Sequence, residues 1–155
     1  MKFNKPSKYH LRLANGGGYS VQKPGSDRTT FHKPETLVCP KIYVVLKRPA
    51  IHYVGITNRP MSARLGYGLR ATGKGGYHGY QWKGLRGKLD LLVWSFPEKS
   101  GKSFMRYIET IEAEFAYLVR NTTGTWPRSQ TEIHFYHPTR AHVRAAADIL
   151  SCCAE

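Results

Sequence analysis

Short apolar runs in the middle of the chain predict β-strands. KIYVVLK at 41–47 and IHYVGIT at 51–57 are rich in Ile, Val and Tyr, and three residues including Pro49 separate them. Two such runs on either side of a turn-sized gap are typical of a β-hairpin. LDLLVWSF at 89–96 has the same character. The pattern therefore predicts a hairpin and, further along the chain, a third strand.

Three helices are predicted, two of them from apolar residues at helical spacing. A short basic helix is expected after Pro60, because apolar side chains recur there every four residues, at Met61, Leu65 and Leu69. The strongest pattern covers about 103–121, where one stripe contains Ile108, Ile111, Phe115, Leu118 and Val119. PTRAHVRAAADIL, at 138–150, begins with proline and is rich in alanine, which favours a final helix.

Together these elements indicate one α/β domain of the α+β kind, a small three-stranded, mainly antiparallel sheet flanked by helices. Residues 1–38 are rich in Lys, Pro, Gly and Ser and show no sustained period, so we interpret them as a basic N-terminal arm with at most one hairpin. The domain itself is expected at 39–155. Within it, 71–88 contains too much glycine for a regular element and is expected to be a long cationic loop.

Composition limits the classes of protein to consider. A chain of 155 residues with 41% hydrophobic residues is long enough for one core. No apolar run is long enough to span a bilayer, and the N-terminus lacks the apolar stretch of a secretion signal. We therefore expect a soluble cytoplasmic protein. The three cysteines have no CxxC spacing, so no zinc site or disulfide framework is expected.

Positive charge is concentrated in one part of the chain. The formal net charge is +14, and 36–89 contains no Asp or Glu. The same stretch carries ten cations, Lys41, Lys47, Arg48, Arg59, Arg64, Arg70, Lys74, Lys83, Arg86 and Lys88. Such a field attracts a polyanion. A solvated basic surface or a membrane-surface patch could carry the same charge, although no convincing amphipathic basic helix supports the latter.

Aromatic residues among these cations favour nucleic acid, because bases stack on aromatic rings while phosphates contact cations. The expected nucleic-acid-binding residues are Arg59, Arg70, Lys74, Tyr77, Tyr80, Trp82, Lys83 and Arg86. The aromatics in the loop lean slightly toward exposed bases, hence toward single strands. The choice between single- and double-stranded DNA and RNA stays open.

Two tyrosines in the predicted hairpin share a sheet face in one register. Facing residues in an antiparallel pair have a constant sum of residue numbers, and a sum of 98 closes a three-residue loop at 48–50. Val45 then faces Tyr53 and Tyr43 faces Gly55, which makes the tyrosines diagonal neighbours roughly 7 Å apart. Gly55 is expected to leave room for a phosphate.

These residues resemble the GIY-YIG nuclease superfamily over about residues 41–126. The first motif is present as Lys41-Ile42-Tyr43, without its glycine, and the second as Tyr53-Val54-Gly55. Arg64 on the next helix, a glutamate on the later long helix, and the order β-β-α-β-α complete the likeness. The resemblance implies a metal-dependent endonuclease with a GIY-YIG-like fold.

The resemblance also implies roles for individual residues. Tyr43 is expected to activate the attacking water, and Tyr53 to assist it at the phosphate. A phenol can accept a proton from water only if nearby charges lower its pKa of about 10, and the cationic half of the chain is expected to do so. Arg64 can hold two phosphate oxygens with its planar guanidinium. Tyr67, one turn after Arg64, and the loop residue His78 are further catalytic candidates; His78 is at least as well suited to contacting phosphate or base.

The expected cofactor is Mg²⁺, or Mn²⁺, because hard cations prefer carboxylate oxygens. Three glutamates on the long helix are candidates, and helix geometry at about 100° per residue selects among them. Glu112 lies about 60° from the centre of the apolar stripe and borders the sheet, whereas Glu109 and Glu114 lie nearer 100–120° and are expected in solvent. We therefore predict Glu112 as the metal ligand.

The family's asparagine after the helix has no clear counterpart. Asn121 comes early and Gln130 comes late in NTTGTWPRSQTE.

The sequence thus predicts an endonuclease that hydrolyses phosphodiester bonds of nucleic acid, with DNA as the first expectation. The alternative is a basic, RNA-associated binding domain without catalysis, in which the tyrosines stack on bases.

Overall fold

Five antiparallel strands form one sheet in the computed structural model, which describes Phe3 and residues 5–155. The strands are β1 (Ser7–Leu13), β2 (Tyr19–Gln22), β3 (Lys41–Lys47), β4 (Ala50–Thr57) and β5 (Leu89–Ser95). Their order across the sheet is β2-β1-β5-β3-β4. The α+β class is confirmed, and the predicted count of three strands is wrong because the N-terminal segment adds two. Met1, Lys2 and Asn4 of the expected basic arm lie outside the described residues.

The two additional strands extend the sheet beyond β5. β1 pairs with β5 on one side, with Leu11 opposite Leu89, and with β2 on the other. Tyr9, Leu11 and Leu13 are buried, while His10 and Arg12 between them are more exposed. This alternation is present in the sequence, but the surrounding Lys, Pro and Gly residues obscure it. Backbone hydrogen bonds to β5 stabilise β1 as a strand although its sequence is a weak strand former.

The predicted hairpin forms from β3 and β4. Tyr43 lies opposite Gly55 and Val45 opposite Tyr53, so the register sum of 98 is confirmed there. Beyond Val45 the register shifts, and Lys47 pairs with Ala50. The predicted three-residue loop is therefore one residue too long, because a β-bulge absorbs the extra residue within β4.

All three predicted helices are present. They are α1 (Met61–Arg70), α2 (Gly101–Thr123) and α3 (Arg140–Ala154). The apolar stripe of α2 packs on the sheet as expected, although Leu118 is only partly buried. α3 packs against α2 and begins with a capping box between Thr139 and His142. No helix among the described residues is long and apolar enough to cross a membrane.

The sheet separates two hydrophobic cores. On one face, Ile42 and Val44 pack with α2 and α3. On the other face, Tyr43 and Val45 pack with α1 and with the end of the glycine-rich loop. Successive residues of β3 point to opposite faces, so both of its faces are buried. The two motif tyrosines and α2 therefore lie on opposite sides of the sheet.

Candidate active site

Tyr43 and Tyr53 lie on one face of the sheet, as predicted, with ring centroids 5.9 Å apart. Both rings lie over Gly55. A Cβ at Gly55 would be 2.8 Å from the Tyr43 hydroxyl oxygen and 2.5 Å from Tyr53 Cε1, closer than side chains tolerate. The space above Gly55 is therefore filled by the two rings, and the expectation that it receives a phosphate is wrong.

Arg64 is held on this face by three tyrosines. Its Nε donates to the Tyr43 hydroxyl at 3.2 Å, and its Nη1 donates to the Tyr77 hydroxyl at 3.3 Å. The guanidinium carbon lies 5.1 Å from the ring centroid of Tyr80, a cation–π distance. The hydroxyls of Tyr43 and Tyr80 are themselves 2.8 Å apart. A planar cation with two directed hydrogen bonds and a ring against its plane has a fixed orientation.

Burial dominates the proton affinity of the tyrosines. It raises the pKa of Tyr43 well above its ordinary value, and the adjacent Tyr80 adds to the rise while Arg64 opposes it. Burial also raises the pKa of Tyr53, helped by Tyr43 and by the Glu112 carboxylate. The expectation that the cationic field lowers a tyrosine pKa is wrong for both residues. Removing a phenolate from water costs more than a single buried guanidinium returns.

A pocket of about 200 Å³ adjoins this cluster. Tyr53, Arg64, Tyr77 and Tyr80 line it from the side of the sheet and of α1. The rest of its wall includes residues of the segment after α2, namely Ser129, Thr131, Glu132 and His134. These four residues were not predicted as part of the site.

Gln130 holds this second wall against the sheet. Its side-chain Nε2 donates to the Val54 carbonyl at 3.1 Å, and its Oε1 accepts from the Val54 N–H at 3.0 Å. The backbone N–H of Ser129 donates to the His52 carbonyl at 2.7 Å. The segment thereby continues the hydrogen-bonding edge of β4. The family's asparagine is expected after the long helix, and Gln130 is the amide residue found there. It is the sequence signal that could have identified this wall.

Glu112 is partly buried on α2, where it contributes to the electrostatics of the cluster. Burial raises its pKa to about 8, Glu109 adds to the rise, and Arg64 opposes it. Glu109 is itself only partly exposed, with its Oε1 3.3 Å from His134 Nδ1, so the prediction that it is fully solvated is wrong. Glu114 is partly buried as well and influences His142 rather than the pocket.

Glu112 would offer a magnesium-like ion a single, partly buried carboxylate. Among residues 3 and 5–155 no group of three or more His, Cys, Asp or Glu side chains is placed to hold a metal ion. Mg²⁺, however, commonly takes one or two protein carboxylates and keeps several waters. No hydrogen bond to the Glu112 carboxylate comes from the described residues, and a second carboxylate, Glu109, is close enough to raise its pKa. A divalent cation would offset both the burial and the repulsion of this pair.

Tyr67 and His78 do not line the pocket. Tyr67 is 52% exposed on the outer surface of α1, where its ring stacks on that of Tyr77 at 4.7 Å. His78 is exposed and its ring packs over Gly73. Within the described residues neither side chain forms a hydrogen bond or ring contact with Arg64, Tyr43 or Tyr53, so their catalytic roles stay predictions.

The predicted nucleic-acid-binding residues divide into buried and exposed groups. Trp82 and Tyr80 are only 1% and 3% exposed and belong to the core, so they cannot stack on bases as expected. Lys83 is also engaged, because its Nζ donates to the carbonyls of Ala71 and His78, both at 2.8 Å. The others remain at or near the surface: Arg59, Arg70, Lys74, Tyr77 and Arg86.

No family model matches this chain, and no curated protein or solved structure matches it. The resemblance to the GIY-YIG nucleases therefore rests on the motif residues of the sequence and stays a prediction.

Proposed function

We propose that the protein is a metal-dependent endonuclease that hydrolyses phosphodiester bonds of nucleic acid, with DNA as the first substrate to test. The observation that carries the proposal is the fixed guanidinium of Arg64 at the wall of a pocket that also contains Tyr53. Arg64 uses Nε and Nη1 to bind tyrosine hydroxyls. Within the described residues its Nη2 donates no hydrogen bond, which leaves a charged donor for a phosphate.

Arg64 supplies the charge stabilisation that phosphodiester hydrolysis needs. Negative charge accumulates on the phosphate oxygens in the transition state, and a preoriented cation lowers the barrier without reorganising. The partly buried position of Arg64 strengthens this interaction, since water screens it less than at an open surface. The aromatic contact with Tyr80 keeps the guanidinium plane in place.

The tyrosines serve this proposal as neutral hydrogen-bonding groups. Because burial raises the pKa of Tyr43 and Tyr53, both are protonated near neutral pH. Tyr53 lines the pocket and can donate its proton in a hydrogen bond to a phosphate oxygen. Tyr43 is fully buried, so we assign it the positioning of Arg64 in place of the water activation that the resemblance implies.

Glu112, assisted by Glu109, would hold Mg²⁺ or Mn²⁺ in this proposal. A bound divalent ion supplies charge neutralisation and a deprotonated water at neutral pH. On the protein's side, Glu112 must lose its proton to act as a ligand, and its raised pKa makes that loss dependent on pH.

The alternative, a basic RNA-associated domain without catalysis, is favoured by one observation. The hydroxyls of Tyr43 and Tyr80 hydrogen-bond to each other inside the core, which is also what two structural tyrosines would do. Both functions share nucleic-acid binding, and cleavage separates them.

Incubation with nucleic acid tests the proposal directly. Plasmid DNA, single-stranded DNA and RNA are each incubated with the purified protein in Mg²⁺, in Mn²⁺ and in EDTA. We expect cleavage of at least one substrate with either metal and none in EDTA. Binding of the same substrates without cleavage in any metal would instead establish the non-catalytic alternative.

Removing the two motif hydroxyls should give different results. Tyr53→Phe removes a hydrogen-bond donor from the pocket, so we expect single-turnover cleavage to slow by roughly 10²-fold. The free energy of unfolding should stay unchanged. Tyr43→Phe also leaves Arg64 and Tyr80 without a buried partner, so we expect a similar loss of rate together with about 1–3 kcal/mol of stability. Tyr117→Phe, at an exposed tyrosine of α2, is the control. Parental cleavage in both motif variants would exclude the assigned roles.

A further inference from the structure

A second concave surface, here named the stacking groove, lies beside the pocket on the outer side of α1. It has a volume of about 500 Å³. Its lining includes Arg59, Tyr67, Arg70, Lys74 and Tyr77. None of the described residues that line the groove is acidic. It includes both an exposed face of α1 and the start of the glycine-rich loop.

Two aromatic rings form its centre. Tyr67 and Tyr77 stack with centroids 4.7 Å apart and planes within 17°. The guanidinium carbon of Arg59 lies 5.6 Å from the centroid of Tyr67. Tyr67 nevertheless remains about half exposed, whereas most aromatic residues of this chain near α1 are buried. Rings and guanidinium planes arranged in this way offer surfaces on which an unpaired base can stack.

The cations of the groove are free to bind phosphate, unlike others in the same stretch of sequence. Lys41 is fully buried and its Nζ donates to three backbone carbonyls, and Lys83 donates to two. Arg59 and Lys74 are exposed, and within the described part of the chain neither forms a salt bridge or a side-chain hydrogen bond. Arg70 is exposed, and among the residues that the structure describes its guanidinium forms one hydrogen bond, from Nε to the Gly66 carbonyl.

Tyr77 joins the groove to the pocket. Its ring lies in the stack with Tyr67, while its hydroxyl accepts a hydrogen bond from Arg64 at 3.3 Å. Tyr77 lines both concave surfaces. A strand that lies in the groove therefore leads directly to the guanidinium that faces the pocket.

We propose that the stacking groove binds unpaired nucleotides, with a base stacked at Tyr67 beside Arg59 and phosphates bound by Arg70 and Lys74. Bases within a duplex present no free face to an aromatic ring, so the groove selects single-stranded nucleic acid or an unpaired segment. That this strand is the one cleaved at the pocket rests on the proposed function. Binding by the groove does not depend on cleavage.

Binding in EDTA tests this proposal without any chemistry. Fluorescence anisotropy is measured with a labelled 12-nucleotide DNA strand, the same sequence in RNA, and the DNA duplex. We expect Tyr67→Leu to weaken binding of the single strands about tenfold, the effect of losing one stacked base, and to change duplex binding less than twofold. Tyr117→Leu removes a tyrosine of equal exposure from α2, far along the chain from the groove, and is expected to leave all three affinities unchanged.

Salt dependence separates the stacking contribution from the phosphate contribution. Lys74→Gln should reduce the slope of log affinity against log salt by about 0.7 on single-stranded DNA, because one phosphate contact is lost. Tyr67→Leu should leave that slope unchanged. Quenching of a 2-aminopurine base in the strand, present in the parent and lost in Tyr67→Leu, would report the stack itself.

The two proposals fail in different ways. Tyr67-dependent preference for single strands together with no cleavage in any metal would overturn the nuclease and support the groove. Equal affinity of the parent for single strands and duplex, or equal losses in Tyr67→Leu and Tyr117→Leu, would overturn the groove whatever the cleavage assay gives.

Discussion

Arg64→Lys is expected to slow single-turnover cleavage by about 10²–10³-fold, the loss typical of removing one preorganised transition-state donor. Lysine keeps the charge but cannot bind the hydroxyls of Tyr43 and Tyr77 and present a further donor to the pocket. The ammonium group also lacks the plane that packs on Tyr80. The rate is measured with enzyme in excess over substrate, so that it reports the chemical step.

The matched control is Arg144→Lys, at an exposed arginine of α3. We expect its cleavage rate and its binding to equal those of the parent. Arg64→Lys should retain most of its nucleic-acid affinity, because the net charge is unchanged. If Arg64→Lys cleaves at the parental rate, the fixed guanidinium takes no part in the reaction. The nuclease proposal would then lose its main support.

Glu112→Gln is expected to remove metal-dependent cleavage, by about 10³-fold or more if the metal supplies both charge and hydroxide. The amide preserves size but is a poor ligand for a hard cation. Glu114→Gln, on the same helix, is the control and should cleave normally. Glu109→Gln should have an intermediate effect, since Glu109 is close enough to Glu112 to raise its pKa.

The same substitution has a signature in stability that does not involve activity. The pKa of Glu112 is raised from an ordinary 4.5 to about 8 in the folded protein. Between those values the folded state binds the proton more tightly than the unfolded state, so stability falls as pH rises through this window and is constant above it. Each pKa unit corresponds to about 1.4 kcal/mol of stability, and the partial exposure of Glu112 reduces this energy. Relative to the parent, Glu112→Gln should therefore gain roughly 2–5 kcal/mol at pH 9 and little at pH 4.

Metal binding should offset the loss of stability that the ionised Glu112 causes in the parent. Excess Mg²⁺ or Mn²⁺ at pH 8 is expected to raise the unfolding temperature of the parent and not that of Glu112→Gln. At pH 7 binding should release a proton, which calorimetry in buffers of different ionisation enthalpy detects. Equal metal stabilisation of parent and variant would place the ion elsewhere, and identical pH profiles would contradict the burial of a carboxyl group at this position.

Local patterns determined much of the element content. The runs at 41–47 and 51–57 and the parity of Tyr43 and Tyr53 were enough to predict the hairpin register, because side chains alternate across a strand with a period of two. Helical spacing identified α1 and α2 for the same kind of reason, whereas the alanines and the Pro138 start identified α3. The angle of Glu112 to its apolar stripe distinguished it from Glu114, since a helix fixes the direction of each side chain relative to its neighbours.

Tertiary structure decided which residues are available for chemistry. Tyr77, Tyr80, Trp82, Lys74 and Lys83 look alike in the sequence, as aromatics and cations in one glycine-rich loop. The fold buries Tyr80 and Trp82 against the sheet, attaches Lys83 to two carbonyls, and leaves Lys74 free. Such outcomes depend on contacts with residues distant in sequence, and no local period encodes them.

The composition of the site was decided in the same way. Pairing of β1 with β5 enlarged the sheet, and the segment that Gln130 attaches to β4 contributes Ser129 and His134 to the wall of the pocket. The sequence by itself determined which face of α1 and of α2 would be buried. Only the tertiary structure determined what covers that face, because packing against either core leaves the same period in the sequence. Packing also creates the surroundings of the tyrosines and of Glu112, and those surroundings set their pKa values.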